Sequence, residues 1–232
     1  MFSDFIHLFF PHLCVVCKSS LSARKLHPSA LDICLRCERK LPHTKFHLEK
    51  DNAITQRLWG RVDVGHAMAL YFFKKGGGVK PLIHRLKYDN RPDIGIELGR
   101  RMASDIMASP HFSSLDLIVP VPLHPKKEQK RGYNQSDKLA EGISAITGVP
   151  YRTDVLMRND YTESQTRKNR VERLANVSGV FGINHTEELC HKHILLVDDV
   201  FTTGATTEQC AELILQAEGA RLSLAVAAIA TR

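Results

Sequence analysis

Long apolar runs are absent from this chain of 232 residues. No segment reaches the roughly 18 apolar residues that mark a membrane-spanning helix, so no membrane span is expected. Low-complexity tracts and repeats of a solenoid period are absent too, which argues against a repeat architecture. Apolar residues still make up 43% of the chain, enough for one sizeable core.

The first 13 residues lack the marks of a secretion signal. No positive charge precedes their short apolar stretch, Asp4 and His7 interrupt it, and no small-residue cleavage site stands before Cys14. An interfacial membrane anchor is one alternative, but the stretch is short and not basic, which favours an amphipathic helix packed on the body. This helix would bury Phe2, Phe5, Ile6 and Phe9. We therefore expect a cytoplasmic protein that does not bind membranes.

The charge balance is basic, with a net charge of +7 and a pI of about 9.2. Such a charge suits anionic partners, for example phosphorylated metabolites or nucleic acid. Many soluble enzymes are mildly basic, however. The charge therefore does not separate an enzyme from a nucleic-acid-binding protein.

Four of the six cysteines form two C-x-x-C pairs near the N-terminus. Cys14 and Cys17 make the first pair, and Cys34 and Cys37 make the second after 16 intervening residues. This spacing is typical of a zinc ion held by four thiolates, a closed tetrahedral shell that is structural rather than catalytic. Two disulfides or a redox-active pair are the alternatives. A reducing cytoplasm disfavours the first, and the doubled pattern disfavours the second.

The predicted domain organisation follows from changes along the chain. Residues 1–45 hold the N-terminal helix and a zinc-ribbon-like module, which is so short that the metal would supply its folding energy. Residues 46–64 show no clear period and are interpreted as a connector. From 65 to 232, strand and helix patterns alternate, beginning with a strand at 67–73 and a helix from Val79. This alternation predicts an α/β domain with a parallel sheet.

The segment HILLVDDVFTTGATT, residues 193–207, carries the strongest functional signal. Its four apolar residues, 194–197, predict a strand buried on both faces. Asp198 and Asp199 follow at the C-terminal end of this strand, where open α/β sheets bind ligands. The next loop leads into a helix, so main-chain N–H groups and the helix dipole could bind phosphate there. The loop consists of Thr202, Thr203, Gly204, Ala205 and Thr206. The alternative is an ordinary strand–turn–helix capped by threonine.

A second strand with polar residues at its end lies in residues 116–125. The apolar residues 117–119 lead into VPVPLHP, whose prolines give a stiff turn with few hydrogen-bond donors. Four cationic residues follow and predict a mobile basic loop, with a solvated surface turn as the alternative. These residues are Lys126, Lys127, Lys130 and Arg131. The basic residues of the helix that begins at Val79, Lys87 among them, are interpreted as a solvated face.

Taken in order, these motifs resemble the ComF family, also called the GntX-like or competence-protein-F-like family. The resemblance covers the four cysteines, YFFKK, LIHRLKYDN, VPVP, RGYNQ and the VDDVFTTGAT string. A segment with T-x-x-Q and R-x-x-N patterns also matches, at Thr162, Gln165, Arg173, Asn176 and Phe181. Lys168 departs from the family, whose members commonly have an apolar residue there. The resemblance implies a type I phosphoribosyltransferase fold, a parallel sheet with flanking helices and a small hood.

The resemblance also implies how phosphoribosyl pyrophosphate (PRPP) would bind. Asp198 and Asp199 would accept hydrogen bonds from the ribose 2′- and 3′-hydroxyls. They would also support a Mg²⁺ ion held mainly by the pyrophosphate. The loop at 202–206 would surround the 5′-phosphate.

Further residues are implied near the pyrophosphate. The turn formed by Val121 and Pro122 would lie beside it, and Arg131 with Lys126 or Lys127 could close over it. Preorganised positive charge of this kind stabilises the negative charge that develops on a leaving group.

Two functional hypotheses remain open at the level of the sequence. The first is a phosphoribosyltransferase that transfers the phosphoribosyl group to an unknown amine or base, and the chemistry of the implied fold favours it. The second is a non-catalytic protein of natural competence that senses PRPP and contacts single-stranded DNA or a helicase-like DNA-uptake partner. Glutamine-dependent amide transfer is not expected, because Cys14 already belongs to the zinc set.

Overall fold

The structure is a computed structural model that describes residues 13–21, 31–159 and 180–231. The amphipathic helix at the N-terminus and the segment with the T-x-x-Q and R-x-x-N patterns lie outside the described residues, except Phe181. The helices are α1 Leu35–Glu38, α2 Ala53–Leu58, α3 Val79–Tyr88, α4 Pro92–Ala108, α5 Pro125–Arg131, α6 Gln135–Thr147 and α7 Ala205–Ile214. The strands are β1 His66–Phe73, β2 Leu117–Pro120, β3 Leu156–Arg158, β4 Phe181–Ile183, β5 His193–Phe201 and β6 Arg221–Ala230. Two 3₁₀ turns cover Phe46–Leu48 and Thr186–Leu189.

A four-stranded parallel sheet in the order β1–β6–β5–β2 forms the centre of the fold. All side chains of residues 194–197 on β5 are 0% exposed, so both faces of this strand are covered. This confirms the predicted buried strand, since a parallel sheet is normally packed against helices on its faces. The predicted α/β class, with a parallel sheet and flanking helices, is confirmed. Strands β3 and β4 form a separate antiparallel pair.

The basic segment after β2 is helical in the structure, where the sequence predicted a loop. Pro125 occupies the start of α5, where its missing N–H is not needed. The side chain of His124 caps the helix, because its Nδ1 accepts a hydrogen bond from the Lys126 amide at 3.2 Å. Gly132, with a φ of 81°, ends the helix in the left-handed region. Local capping therefore orders a segment whose charge suggested a loop.

The segment predicted as a connector, 46–64, packs on the first strand of the sheet. Asn52 accepts a hydrogen bond from the Ile54 amide at 3.0 Å and donates one to the carbonyl oxygen of Ala67 on β1 at 2.8 Å. Ile54 and Leu58 of α2 are buried. A helix of 6 residues is too short to give a clear period in the sequence. The division of the chain at 45 and 65 stays a prediction.

Two glycines let α4 and α6 approach closely. A Cβ atom on Gly99 would overlap the carbonyl oxygen of Leu139, and one on Gly142 would lie 2.9 Å from the carbonyl carbon of Ile96. These neighbours are backbone atoms in helices, so they cannot move aside independently. A residue with a Cβ atom is therefore excluded at both positions where the two helices cross.

We expect Gly142→Ala to lower the free energy of unfolding by about 2 kcal/mol or more, the cost typical of overpacking. A decrease in stability would be informative, because at an exposed helix position the change from glycine to alanine increases stability by about 1 kcal/mol. Urea unfolding of the two proteins measures the difference. Ser104→Ala, at an exposed position of α4, is the control and should change stability little. A Gly142→Ala protein as stable as the wild type would contradict the close approach.

Candidate functional site

The carboxyl ends of β2 and β5 bring the two strand-end motifs together. The strands are parallel neighbours, and the amide of Val121 donates to the carbonyl oxygen of Val197 at 2.8 Å. Val121 is buried and Pro122 is half-buried at this edge, directly beside the end of β5 that carries Asp198 and Asp199. Residues separated by more than 70 positions in the chain thus share the crevice where parallel sheets bind ligands.

Asp198 is held by hydrogen bonds at the edge of the sheet. Its Oδ1 accepts from the Ser136 hydroxyl on α6 at 3.1 Å and from the Asp199 amide at 2.8 Å. Burial of the carboxyl, and then the neighbouring negative charge of Asp199, raise the pKa of Asp198 to about 7. Two adjacent carboxylates in one crevice resist ionising together. The site is therefore suited to a cation or to hydrogen-bond donors that favour the ionised form.

Asp199 forms an ion pair with Lys87, a residue whose helical pattern predicts a solvated face. The Lys87 Nζ lies 2.9 Å from Oδ1 and 2.8 Å from Oδ2 of Asp199. The two side chains are only 24% and 14% exposed. The interpretation of Lys87 as a surface residue is therefore wrong. No periodicity separates it from the other basic residues of α3, so the sequence held no signal for this contact.

The loop at 202–206 follows the strand that carries the two acids and contains main-chain N–H groups that form no hydrogen bond with a described residue. Thr202 and Thr203 are exposed, Gly204 adopts a φ of 88° as the residue before α7, and this helix has no side-chain N-cap hydrogen bond. The Ala205 amide has only a long contact, 3.5 Å, to the Thr203 hydroxyl. Among the described residues, the amides of Thr203 and Gly204 have no hydrogen-bond partner. The loop, with Ala205 and Thr206 in the first turn of α7, thus keeps donors available for an anion.

Among the described residues, the cation paired with Asp199 is Lys87 and not one of the basic residues predicted near the pyrophosphate. Lys126 and Lys127 are exposed on α5 and form no ion pair with another described residue. Arg131 contacts the amide oxygen of Gln135, and its guanidinium lies 5.3 Å from the ring centre of Tyr88. Their place beside the pyrophosphate stays a prediction.

The four predicted zinc ligands lie together. The Sγ atoms of Cys14, Cys17, Cys34 and Cys37 are all within 4.8 Å of one another, and those of Cys17 and Cys34 are 3.8 Å apart. Tetrahedral zinc with Zn–S bonds of about 2.3 Å places sulfurs about 3.8 Å apart. The amide of Cys34 also points at the Cys14 sulfur, at 3.4 Å. The cluster fits a four-thiolate zinc ion, and all six cysteines are free of disulfides.

The raised pKa of Asp198 predicts how the contribution of this residue to the free energy of unfolding depends on pH. The folded value, about 7, is above the value of about 3.9 for an unfolded aspartate, so folding takes up a proton between them. The wild type therefore loses stability as the pH rises through this window. Because asparagine does not ionise, Asp198→Asn should gain relative stability, on the order of 1 kcal/mol per pH unit.

Urea unfolding at about pH 5, 6, 7 and 8 measures this difference. The exposed Asp63 supplies the control: Asp63→Asn should follow the wild type at every pH. A difference between Asp198→Asn and the wild type that stays constant with pH would contradict the raised pKa.

Comparison with known proteins finds relatives along most of the chain. No family model matches it. DNA utilization protein YhgH of Escherichia coli is 27% identical over 223 residues, which cover 89% of this chain and 92% of that protein. Competence protein F of Haemophilus influenzae is 30% identical over 137 residues, 57% of this chain and 60% of that protein. Competence protein ComFC of Bacillus subtilis is 32% identical over 49% of this chain and 42% of that protein.

Two solved structures with partial similarity are described as phosphoribosyl enzymes. The glutamine PRPP amidotransferase of Bacillus subtilis matches with a TM-score of 0.44 and 19% identity, over 62% of this chain and only 30% of that one. A purine phosphoribosyltransferase of Pyrococcus horikoshii matches with a TM-score of 0.35 and 15% identity, over 60% of this chain and 83% of that one.

None of the described helices combines the length and the apolar character that a membrane span requires.

Proposed function

Starting from the homology of this chain to competence protein F and the YhgH proteins, we propose that it binds PRPP with Mg²⁺ and transfers the phosphoribosyl group to a nitrogen acceptor. One observation carries the proposal. Asp198 and Asp199 lie in the C-terminal part of β5, which ends at Phe201, and the loop that follows contains the amides of Thr203 and Gly204, which have no partner among the described residues. Carboxylates suit ribose hydroxyls, and a turn of free amides at a helix start suits a phosphate.

The metal would be held at the same edge. Carboxylate oxygens are the ligands that Mg²⁺ prefers, and it commonly binds one or two of them together with substrate phosphates. The donor set of Asp198 and Asp199 fits this requirement. When bound, Mg²⁺ would neutralise negative charge on the leaving pyrophosphate.

The reaction proposed is displacement at the anomeric carbon. The bond from C1 to the pyrophosphate oxygen breaks and its electron pair leaves with pyrophosphate. A nitrogen lone pair of the acceptor forms the new bond to C1, and the nitrogen loses a proton to solvent. The ribose ring carries positive charge in between, and the carboxylate of Asp198 would stabilise it electrostatically rather than as a nucleophile.

A second function, in DNA handling without catalysis, is favoured by a different observation. The names of the relatives refer to DNA utilization and competence. Tyr88 is 65% exposed beneath the guanidinium of Arg131, a residue of the basic helix α5. Proteins that bind single-stranded nucleic acid combine aromatic rings with positively charged grooves. Tyr71, by contrast, is fully buried and unavailable for stacking. The protein would then sense PRPP while it contacts single-stranded DNA or a helicase-like partner.

Calorimetric titration with PRPP and Mg²⁺, followed by a pyrophosphate-release screen over nucleobases and amines, tests the proposal. Binding together with release for one acceptor supports the transferase. Binding without release for any acceptor supports the PRPP sensor. No binding of PRPP at millimolar concentration would overturn both functions of this site.

A further inference from the structure

Two arginines from the segment 46–64 hold the carbonyl side of the 202–206 loop. The Arg57 Nη1 donates to the carbonyl oxygen of Thr202 at 2.9 Å, and both Nη atoms lie 3.4 Å from the carbonyl oxygen of Ala230. The Arg61 Nη1 lies 3.5 Å from the carbonyl oxygen of Thr203. These contacts join parts of the chain that are more than 140 residues apart.

Arg61 is itself fixed in place. Its Nε donates to Glu208 Oε1 on α7 at 2.9 Å, and its Nη2 contacts the other carboxylate oxygen. A planar guanidinium with two parallel bonds to a carboxylate has a defined orientation. Arg61 therefore links α2, the loop and the first turn of α7.

Because the peptide bond is planar, a contact that holds one carbonyl group also fixes the direction in which the next N–H group points. In a trans peptide the C=O and the following N–H point in opposite directions. When Arg57 holds the Thr202 carbonyl, the Thr203 N–H points away from Arg57. When Arg61 holds the Thr203 carbonyl, the Gly204 N–H points away from Arg61. The two partnerless amides thus share the face opposite the arginines.

The loop is also supported from below by α2. A Cβ atom on Gly204 would lie 3.2 Å from Leu58 Cδ2 and 3.0 Å from Phe201 Cζ. Glycine is required here both for the φ of 88° and for this close packing. Leu58 and the two arginines therefore form one backing surface against which the loop is shaped.

A cavity of about 530 Å³ lies on the arginine side of the loop, lined by Arg57, Arg61, Thr202, Thr203, Ala230 and Thr231. Carbonyl oxygens of Thr202 and Ala230 accept from Arg57 on this side. An anion placed there would lie against these carbonyl oxygens, which repel negative charge. It would also compete with them for the N–H groups of Arg57. The phosphate is therefore expected on the amide side, with the arginines acting through the loop.

We infer that Arg57 and Arg61 are positioning residues of the 5′-phosphate loop: they hold the carbonyls of Thr202 and Thr203 and so aim the next amides at the ligand. The inference rests on the proposed function, since it assumes PRPP at this site. It assigns the segment 46–64 a part in ligand binding. A preorganised set of donors binds an anion without the cost of ordering them.

The test compares three ligands in titrations of the full chain: PRPP with Mg²⁺, ribose 5-phosphate, and Mg²⁺ with pyrophosphate. Arg57→Gln is expected to weaken PRPP and ribose 5-phosphate by the same factor, about tenfold, because both carry the 5′-phosphate. Pyrophosphate binding should not change. Arg100→Gln, at a residue of α4 that is 53% exposed, is the control and should bind all three as the wild type does.

A second variant separates geometry from charge. Arg57→Lys keeps the positive charge but loses the planar fork, so it should also bind ribose 5-phosphate more weakly than the wild type. Wild-type affinity in Arg57→Lys would assign the effect to charge and overturn the positioning role. An equal loss for all three ligands, or no loss for any, would overturn it too. If the wild type binds no PRPP, the proposed function itself fails, which is a distinguishable result.

Discussion

Replacing Asp198 and Asp199 together by asparagine is expected to weaken PRPP binding by about 100-fold or more, since each charged hydrogen bond contributes about 1.5–3 kcal/mol. The double variant keeps the shape of both side chains but removes the negative charge that ribose hydroxyls and Mg²⁺ require. Calorimetric titration with PRPP and Mg²⁺ measures the loss. Asp63→Asn, a change of an exposed carboxylate away from the sheet edge, is the matched control.

The double variant is expected to remain folded, which keeps the experiment clear. Asp198 has a raised pKa because its charge is unfavourable in the folded state, so a neutral residue there does not cost stability at neutral pH. Lys87 loses its partner, but its side chain is 24% exposed and can reach water. Thermal unfolding checks this. Unchanged affinity in a folded double variant would remove the two acids from the site.

Replacing one ligand of the cysteine cluster is expected to release the metal. Wild-type protein purified under reducing conditions should carry about one zinc ion per chain, and Cys14→Ser should carry well below half of that. Zinc binding to such sites contributes on the order of 10 kcal/mol to folding, so the N-terminal module should unfold in the variant. Elemental analysis measures the metal content, and limited proteolysis with trypsin measures the unfolding of the module.

Cys190→Ser supplies the control for the loss of a thiol, because Cys190 lies outside the cluster of four. It should keep zinc at the wild-type level. Less than about half an equivalent of zinc in the wild type would overturn the four-thiolate site.

Features that depend on neighbours in sequence could be predicted. Residues 194–197 are uniformly apolar, and a strand buried on both faces requires this, so the sequence predicts β5. The spacing of the cysteines predicted a cluster, since two C-x-x-C turns bring four sulfurs to one point. Capping also acts locally, but the charge run at 126–131 predicts a loop where the structure has α5.

Contacts between distant residues could not be predicted in this way. Lys87 meets Asp199 across 112 residues, and its neighbours in α3 include other basic residues with the same helical pattern. Arg57 meets the Thr202 carbonyl across 145 residues, from a segment without a clear period. A main-chain acceptor leaves no mark in a sequence, because every residue carries one.

The order of residues along the chain was therefore sufficient to predict the type of sheet, the two acids near the end of β5 and the sulfur cluster. Each of these features follows from local pattern and spacing. The folded packing settled which charges meet those acids and which way the loop amides point. These depend on distances between elements that are far apart in sequence, and such distances exist only once the sheet and its helices have assembled.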